Sequence, residues 1–348
     1  MVVNPATVKL TLTTTSDLEC WPHLWQGCMT PPNIELIRQR AELLRNLRHF
    51  FDSRAFLEVQ TPCLSHDCVV DAYIDPIEVS SSQFGLGNDL PQRYFLQTSP
   101  EAAMKRMLAE GAPSIYSLGP VFRSREQGDF HNLEFTMLEW YQVGADLDQG
   151  VRLLGELATQ ILQRQKYNVV TYREVFLDIL NLDPIDCPLN DLHREVEKID
   201  PSIAHSIAND RDSMLDRLLS EVIQPNLDRP CPTIITNYPL TQAALAKVSK
   251  DDPQCAARFE LFVDGVELAN GYDELQDPDV LRSRNQIQNA KRVASGRQAI
   301  EIQSGLIDAM EKGLPQCAGV ALGIDRLLML CSGRKSIKKV ISFPIAIA

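Results

Sequence analysis

Residues 122–135 read FRSREQGDFHNLEF, and residues 135–141 continue as FTMLEWY. The apolar residues before Arg123 predict a strand that ends at this guanidinium, and the apolar run after the polar loop predicts a second strand. The segment is therefore predicted to be a hairpin that fixes an arginine at one end. A fixed guanidinium suits a phosphate or a carboxylate, whereas composition alone favours a surface hairpin with solvated charges.

A second polar segment, ELANGYDE at residues 267–274, follows an apolar strand and carries two acids seven residues apart. We expect an Asn-Gly turn at residues 270–271. The apolar neighbours predict that Glu267 is partly buried, and a buried carboxylate requires a cation, a metal or a hydrogen-bond donor. Hard oxygen ligands that bridge to a polyphosphate suit Mg²⁺. The alternative is a hairpin turn with ordinary solvated acids.

A third segment, GVALGIDR at residues 319–326, predicts a strand, a glycine and the first turn of a helix. Gly323 allows a ligand to approach the backbone closely. Arg326 can meet a phosphate at the start of the helix. Alone, a strand, a glycine and a helix are weak support for a phosphate site.

Together the three segments resemble the signature motifs of class II aminoacyl-tRNA synthetase catalytic domains. The helix predicted from Ile34 and the strand predicted at residues 56–62 resemble the dimer-forming first motif of that class. Within the class the chain resembles the lysyl branch, above all its truncated members that ligate (R)-β-lysine onto a lysine of translation elongation factor P. Residues 98–101, 104–106 and 131–141 are particularly similar to those members. The resemblance covers about residues 34–345.

The order of elements, with a β-rich centre and irregularly interleaved helices, favours an α+β fold with a mainly antiparallel sheet over a doubly wound fold. The resemblance implies the same fold, that of a class II catalytic domain flanked by helices. It also implies that an amino-acid carboxylate attacks the α-phosphate of ATP and that the acyl-adenylate then acylates an amine. Positioning and charge neutralisation would do most of the work in such a reaction.

The resemblance also implies roles for individual residues. Arg123 would clamp the α-phosphate and the substrate carboxylate, and Arg326 would hold the γ-phosphate end, as the catalytic pair. Glu267 and Glu274 would hold Mg²⁺. The implied nucleotide-binding residues are Arg123, Ser124, Arg125, Glu126, His131, Asn132, Phe135, Glu267, Leu268, Gly323 and Arg326. The implied residues for a lysine-like substrate are Ser99, Pro100, Glu101, Tyr141 and Glu274.

Two residues depart from the lysyl pattern. Arg125 stands where lysyl enzymes usually have a glutamate that recognises the adenine amino group, and Glu126, one place later, is the candidate to replace it. Leu133 replaces a proline that usually precedes Glu134. Two alternatives stay open at this point: an enzyme that charges tRNA or only forms lysyl-adenylate, and a non-catalytic regulatory paralogue.

Length and charge limit the remaining choices. The chain has 348 residues, 44% of them hydrophobic and 23% charged, which excludes a disordered chain. We expect an arm at residues 1–30 and one catalytic domain at residues 31–348, with a helical insertion at about residues 168–230. The five strands of an anticodon-binding OB-fold do not fit before Ile34. The formal net charge of −12 also makes tRNA an unlikely partner.

The remaining expectations concern location and assembly. No apolar run reaches the ~18–20 residues of a membrane span. Nine cysteines without a CxxC pair favour the cytoplasm. The cluster at residues 63–68 has metal-ligand residue types but no second ligand pair, so it is interpreted as a plain loop. The first motif implies a homodimer.

Overall fold

The computed structural model describes residues 33–85, 90–227, 231–345 and 348. The arm expected at residues 1–30 lies outside these residues. Among the helices of the described ranges, none is both long and apolar enough to cross a membrane.

Eleven strands lie in the described residues. They are β1 Leu57–Glu58, β2 Leu64–Ser65, β3 Ile77–Ser80, β4 Arg93–Leu96, β5 Ile115–Phe122, β6 Glu134–Val143, β7 Asn168–Thr171, β8 Thr233–Pro239, β9 Cys255–Val263, β10 Val266–Asp273 and β11 Cys317–Gly323. Eight of them form one sheet in the order β1-β5-β6-β11-β10-β9-β8-β7, and the other three form a small sheet in the order β2-β4-β3. The large sheet is antiparallel except at its two edges, where β1 pairs with β5 and β7 with β8 in parallel.

The α-helices of the described residues pack around the large sheet. They are α1 Ile34–Asp52, α2 Glu101–Ala109, α3 Leu147–Leu162, α4 Tyr172–Leu180, α5 Leu189–Ile199, α6 Pro201–Ser206, α7 Arg211–Leu218, α8 Gln224–Asn226, α9 Pro278–Ala294, α10 Gly305–Gly313 and α11 Ile324–Cys331. One π-helical turn, Leu219–Ile223, joins α7 to α8. The prediction of an α+β fold with a mainly antiparallel sheet is confirmed.

The first helix agrees with its prediction. Its capping residue and the spacing of its apolar residues are both local features of the sequence. The Asn33 side chain caps α1 by accepting hydrogen bonds from the backbone N–H groups of its first turn. The buried face ends at Phe51, whose ring stacks on Tyr116 of β5 at a centroid distance of 4.8 Å. The strand expected at residues 56–62 is shorter than predicted, since only Leu57–Glu58 pairs as a ladder with β5.

Helices α4 to α8 lie between β7 and β8, in the region where the helical insertion was expected. They have their own hydrophobic core, in which Tyr172 stacks on Phe176 and both pack against the sheet through Tyr238. Residues 168–171, the first four of the expected insertion, belong to the large sheet as β7. Thr171 closes that strand and starts α4 with a capping box to Glu174.

The expected turn at Asn270-Gly271 is wrong, because both residues lie inside β10 and pair with β9 and β11. The hairpin turn between β9 and β10 is at Asp264-Gly265, where both residues have positive φ, 51° and 80°. Gly271 serves packing instead. A Cβ built on it would lie 2.4 Å from Cζ of Phe259, so only glycine allows this ring to lie against the sheet.

A Gly271→Ala substitution should therefore overpack the core between β10 and the ring of Phe259. We expect the free energy of unfolding to fall by about 1–3 kcal/mol, measured by urea denaturation. Gly119→Ala in β5 is the matched control, because no heavy atom lies within 4 Å of the Cβ it would add. Equal stability of the two variants would show that Phe259 does not require the glycine.

Candidate active site

One cavity of about 310 Å³ opens on the face of the large sheet, and it collects most of the predicted site residues. Strands β6, β10 and β11 supply its floor, and the loop between β5 and β6 covers one side. The predicted residues that line it are Ser99, Glu101, Arg123, Glu126, His131, Asn132, Phe135, Tyr141, Glu267, Leu268, Glu274, Gly323 and Arg326. Pro100, Ser124 and Arg125 do not line it.

Backbone geometry explains why these three residues lie outside the cavity. Pro100 is the N-cap residue of α2. The backbone N–H of Ser124 donates to the carbonyl of Asp75 at 2.7 Å, which ties the loop to the small-sheet side. Arg125 has a φ of +65° and its side chain is 77% exposed, with Nη1 3.9 Å from Asp75. Glu126 is the acid of this loop that faces the cavity.

The guanidinium of Arg123 is fixed as the sequence predicted. Its Nε donates to the carbonyl of Thr98 at 3.3 Å, and its Nη1 lies 3.6 Å from Glu126. The group also lies over the ring of Phe135, 5.2 Å from the centroid. These contacts leave a positive group at a set position on the cavity wall.

Arg326, which also lines the cavity, is held by three acceptors. It donates to the carbonyls of Phe130 and Glu267 at 3.2 and 2.9 Å, and its Nη2 lies 2.8 Å from Nε2 of His131. Burial lowers the pKa of His131, and the charge of Arg326 lowers it further. The imidazole is therefore neutral at pH 7 and accepts a hydrogen bond from Arg326 through Nε2.

The helix that carries Arg326 is anchored from below. Asp325, the preceding residue, is buried and accepts from Arg40 of α1 at 2.6 Å and from the backbone N–H of Thr136 at 2.7 Å. One carboxylate thus joins α1, β6 and α11. Asp325 therefore fixes the orientation of α11 and, with it, the direction of Arg326. The sequence did not indicate this role for Asp325.

The deep end of the cavity holds three carboxyl groups around one ammonium. Nζ of Lys105 lies 2.5 Å from Glu101 and 2.6 Å from Glu274, and its side chain is only 1% exposed. The third group, Glu139, accepts a hydrogen bond of 2.6 Å from the hydroxyl of Tyr141. Its other oxygen, Oε2, is buried without a partner among the described residues.

Burial dominates the protonation of this cluster. It raises the pKa of Glu139 from its ordinary value of 4.5 to about 8, and the charge of Glu101 raises it as well. It raises the pKa of Glu274 to about 8 also, although the ammonium of Lys105 opposes the shift. An unpartnered buried carboxylate oxygen needs a donor. The cluster is therefore built to receive cationic groups.

Lys105 and Glu139 were missed when the site was predicted from the sequence. The signals were present: Lys105 stands four residues after Glu101 on the same face of α2, and Glu139 alternates with Tyr141 on β6. Gly319 of β11 also belongs to the cluster. A Cβ built on it would lie 2.1 Å from Oε1 of Glu274, so the carboxylate fits only because this residue is glycine.

The assignment of Glu274 as a partner of Glu267 in a Mg²⁺ site needs correction. The two acids are seven residues apart along β10, which corresponds to roughly 23 Å of strand. Lys105 already occupies the place beside Glu274 that a cation would take. In the described ranges, no group of three or more His, Cys, Asp or Glu side chains could hold a metal. Residues 63–68, expected to be a plain loop, contain strand β2, which pairs with β4.

Glu267 itself fits a divalent cation that is shared with phosphates. Burial raises the pKa of this carboxyl, and the nearby Glu260 raises it further. A register shift between Glu267 and Ala269 turns the strand here, so both Glu267 and Asn270 line the cavity. Oδ1 of Asn270 is buried without a hydrogen-bond donor from the described residues. A carboxylate, an amide oxygen and phosphate oxygens are ligands that Mg²⁺ accepts.

Comparison with known proteins agrees with this geometry. The chain matches the family described as tRNA synthetases class II (D, K and N) over residues 24–346, and it belongs to this family. Among curated proteins it is similar to the elongation factor P–(R)-β-lysine ligase of Vibrio cholerae, at 42% identity over 91% of this chain and 97% of that protein. The ligases of the same name from Vibrio vulnificus and Salmonella gallinarum are 40% and 38% identical, over 91% and 92% of this chain and 97% of each relative.

The raised pKa of Glu139 gives a testable pH dependence. The unfolded chain loses this proton near pH 4.5 and the folded chain near pH 8, so the neutral carboxyl contributes stability that is lost as pH rises between these values. We expect the free energy of unfolding of the unliganded protein, relative to its Glu139→Gln variant, to fall from pH 5 to pH 8 and then level off. Chemical denaturation at each pH measures it. A difference that does not change with pH would mean that Glu139 ionises normally.

Proposed function

We propose that this protein is an ATP-dependent ligase that activates (R)-β-lysine as an acyl-adenylate and transfers the β-lysyl group to a lysine of elongation factor P. The names of its relatives support the acceptor and the amino acid. The observation that carries the proposal is the arrangement of a fixed arginine at one wall of the cavity and three carboxyl groups around Lys105 at its deep end.

Charge complementarity favours a diamino monocarboxylic acid. Glu101, Glu139 and Glu274 carry three negative charges when ionised, and Lys105 neutralises one, which leaves two for the ammonium groups of the substrate. Arg123 takes the carboxylate of the substrate at the other end. A substrate without one of the amines would leave a buried carboxylate unpaired, so the site should reject it strongly.

In this proposal the nucleotide binds against the wall of the cavity that carries Arg326. Arg326 and Arg123 neutralise the phosphates, and Gly323 leaves space for the nucleotide because a Cβ there would have only distant neighbours, at 3.9 Å or more. Glu267 and Asn270 would hold Mg²⁺ on the phosphates, where the ion supplies charge neutralisation and fixes their geometry. Phe135 offers a ring on which the adenine can stack.

The chain contributes mainly positioning to both steps. Arg123 orients the substrate carboxylate, whose oxygen attacks the α-phosphate so that pyrophosphate leaves. The lysine amine of the acceptor then attacks the carbonyl of the adenylate, and AMP leaves. Holding both ammonium groups in the carboxyl cluster fixes the carbonyl for this second attack.

We also propose that the protein is cytoplasmic and forms a homodimer. An acceptor that is a translation factor favours the cytoplasm. A homodimer through the first motif is supported by Ile34 and Ile37 of α1 and Leu57 of β1, which are exposed apolar side chains of that motif.

Modification of elongation factor P tests the proposed function directly. Incubation with ATP, Mg²⁺ and (R)-β-lysine should increase the mass of the factor by one β-lysyl group, measured by intact-protein mass spectrometry. The Arg123→Ala variant should lose amino-acid-dependent pyrophosphate exchange by at least a hundredfold, because one charge-stabilising donor is typically worth 10²–10³ in rate. Absence of modification with every lysine isomer would overturn the proposal.

We also infer that Glu126, rather than the residue before it, meets the adenine. Glu126 faces the cavity, whereas the side chain of Arg125 points to solvent. We expect Glu126→Gln to raise the KM for ATP about tenfold and the KM for β-lysine by less, through its contact with Arg123, and Arg125→Gln to leave both constants within about twofold. Steady-state pyrophosphate exchange measures both, and a larger effect from Arg125→Gln would contradict the assignment.

A further inference from the structure

One buried ammonium lies behind the cavity, in contact with two of its lining carboxyl groups, and the proposed reaction does not explain its place. Lys105 points into the core from α2, and its ammonium lies between one oxygen of Glu101 and one oxygen of Glu274. Its side chain is buried, and its Nζ is 5.7 Å from the centroid of the Tyr141 ring. The ionisable groups facing it are Glu101 from α2, Glu139 and Tyr141 from β6, Glu274 after β10 and Cys317 from β11.

Two buried carboxylates close enough to share one ammonium repel each other strongly. Without a cation between them they take up protons or move apart. Lys105 reduces that repulsion, because its ammonium lies between the two carboxyl groups and opposes the rise that burial causes in the pKa of Glu274. It also fixes their rotation, since it binds Oε1 of Glu101 and Oε2 of Glu274.

The remaining oxygens are then directed toward the ligand. Oε1 of Glu274 lies beside Gly319, which lines the cavity. Oε2 of Glu139 lies in the same cluster without a donor among the described residues. Lys105 thus fills one part of the cluster and leaves acceptors open in the rest of it.

We propose that Lys105 is a positioning residue, an internal counter-ion that presents Glu101 and Glu274 to the ammonium groups of the substrate and limits the pocket to amino acids with two of them. This inference rests on the proposed function, because it takes the cluster to be the amine-binding end of the cavity. It adds a residue that acts on the substrate only through its two carboxylate partners.

A purely structural ion pair between α2 and the sheet would behave differently. Its loss would lower stability and weaken the binding of nucleotide and amine alike. Loss of a positioning residue weakens amine binding selectively. An arginine guanidinium at the same position then restores part of that binding. The structural and positioning roles are therefore distinguished by two measurements. One is the ratio of the amine affinity to the nucleotide affinity, and the other is the amine affinity of the Lys105→Arg variant.

The experiment compares Lys105→Met and Lys105→Arg with the wild type. Isothermal titration calorimetry measures binding of (R)-β-lysine, α-lysine and 1,5-diaminopentane, and separately of a non-hydrolysable ATP analogue. We expect Lys105→Met to weaken amine binding about 30-fold or more, with nucleotide binding within twofold, and Lys105→Arg to recover at least a third of the lost affinity on a logarithmic scale. Lys312→Met is the control, because among the described residues its ammonium pairs only with Glu110, which is exposed at the surface.

Three results would overturn the role of Lys105: unchanged or tighter amine binding by Lys105→Met, equal loss of amine and nucleotide binding, or no difference between the methionine and arginine variants. If Lys105→Met does not fold, the wild type still provides the test. The ¹⁵N signals of the lysine side chains should include a protected Lys105 ammonium, assigned with the Lys105→Arg variant. This signal should shift when diaminopentane binds, and its constancy at saturation would contradict the proposal.

The outcomes separate this inference from the proposed function. A wild type that binds diamines but never modifies elongation factor P removes the proposed function and leaves the Lys105 test intact. A wild type that modifies the factor while Lys105→Met binds amines normally removes only the role of Lys105. A wild type that binds none of the amines removes both.

Discussion

Three carboxyl groups share the deep end of one cavity, and carboxylates buried together require cations among them. Lys105 supplies one cation from inside the fold, and the remaining negative charge is available for a ligand. The surrounding structure serves this constraint. Gly319 leaves room for Glu274, Tyr141 donates to Glu139, and α2 delivers both Glu101 and Lys105 from a single helical face.

The antiparallel sheet gives the site two chemically different ends, one near Arg326 and one at the carboxyl cluster. Strand β10 places Glu267 and Asn270 near the arginine of α11 and delivers Glu274, seven residues later, to the amine end. The separation suits a reaction in which phosphates and ammonium groups are bound by opposite kinds of charge. In the proposed function the reacting carboxyl group binds between the two ends, at Arg123, which is held by Thr98 and Glu126.

Much of this could be predicted from the sequence because the signals are local. Helix α1, the strands on both sides of the Arg123 loop and the strand–glycine–helix segment around Gly323 follow from spacing and residue type. The three motif segments also meet in one cavity, as the resemblance to class II synthetases implied. The expected turn at Asn270-Gly271 is wrong because the chain turns six residues earlier, at Asp264-Gly265. Gly271 instead lies in β10 and packs against Phe259.

The other misses concern contacts that no single segment contains. Spacing along the chain suggested that Glu267 and Glu274 share a metal, but an extended strand carries them far apart. The pairing of Lys105 with Glu274 joins residues 169 positions apart, and only the assembled sheet reveals it. The orientation of Arg125 depends on a positive φ that its residue type does not predict.

The charge of the cavity should select an amino acid with two ammonium groups. Amino-acid-dependent exchange of pyrophosphate into ATP, measured with (R)-β-lysine, α-lysine, norleucine and 6-aminohexanoate, tests it most directly. We expect exchange with one or both lysine isomers and a loss of about a thousandfold or more in kcat/KM for each analogue that lacks an amine. Comparable exchange with norleucine or 6-aminohexanoate would contradict it.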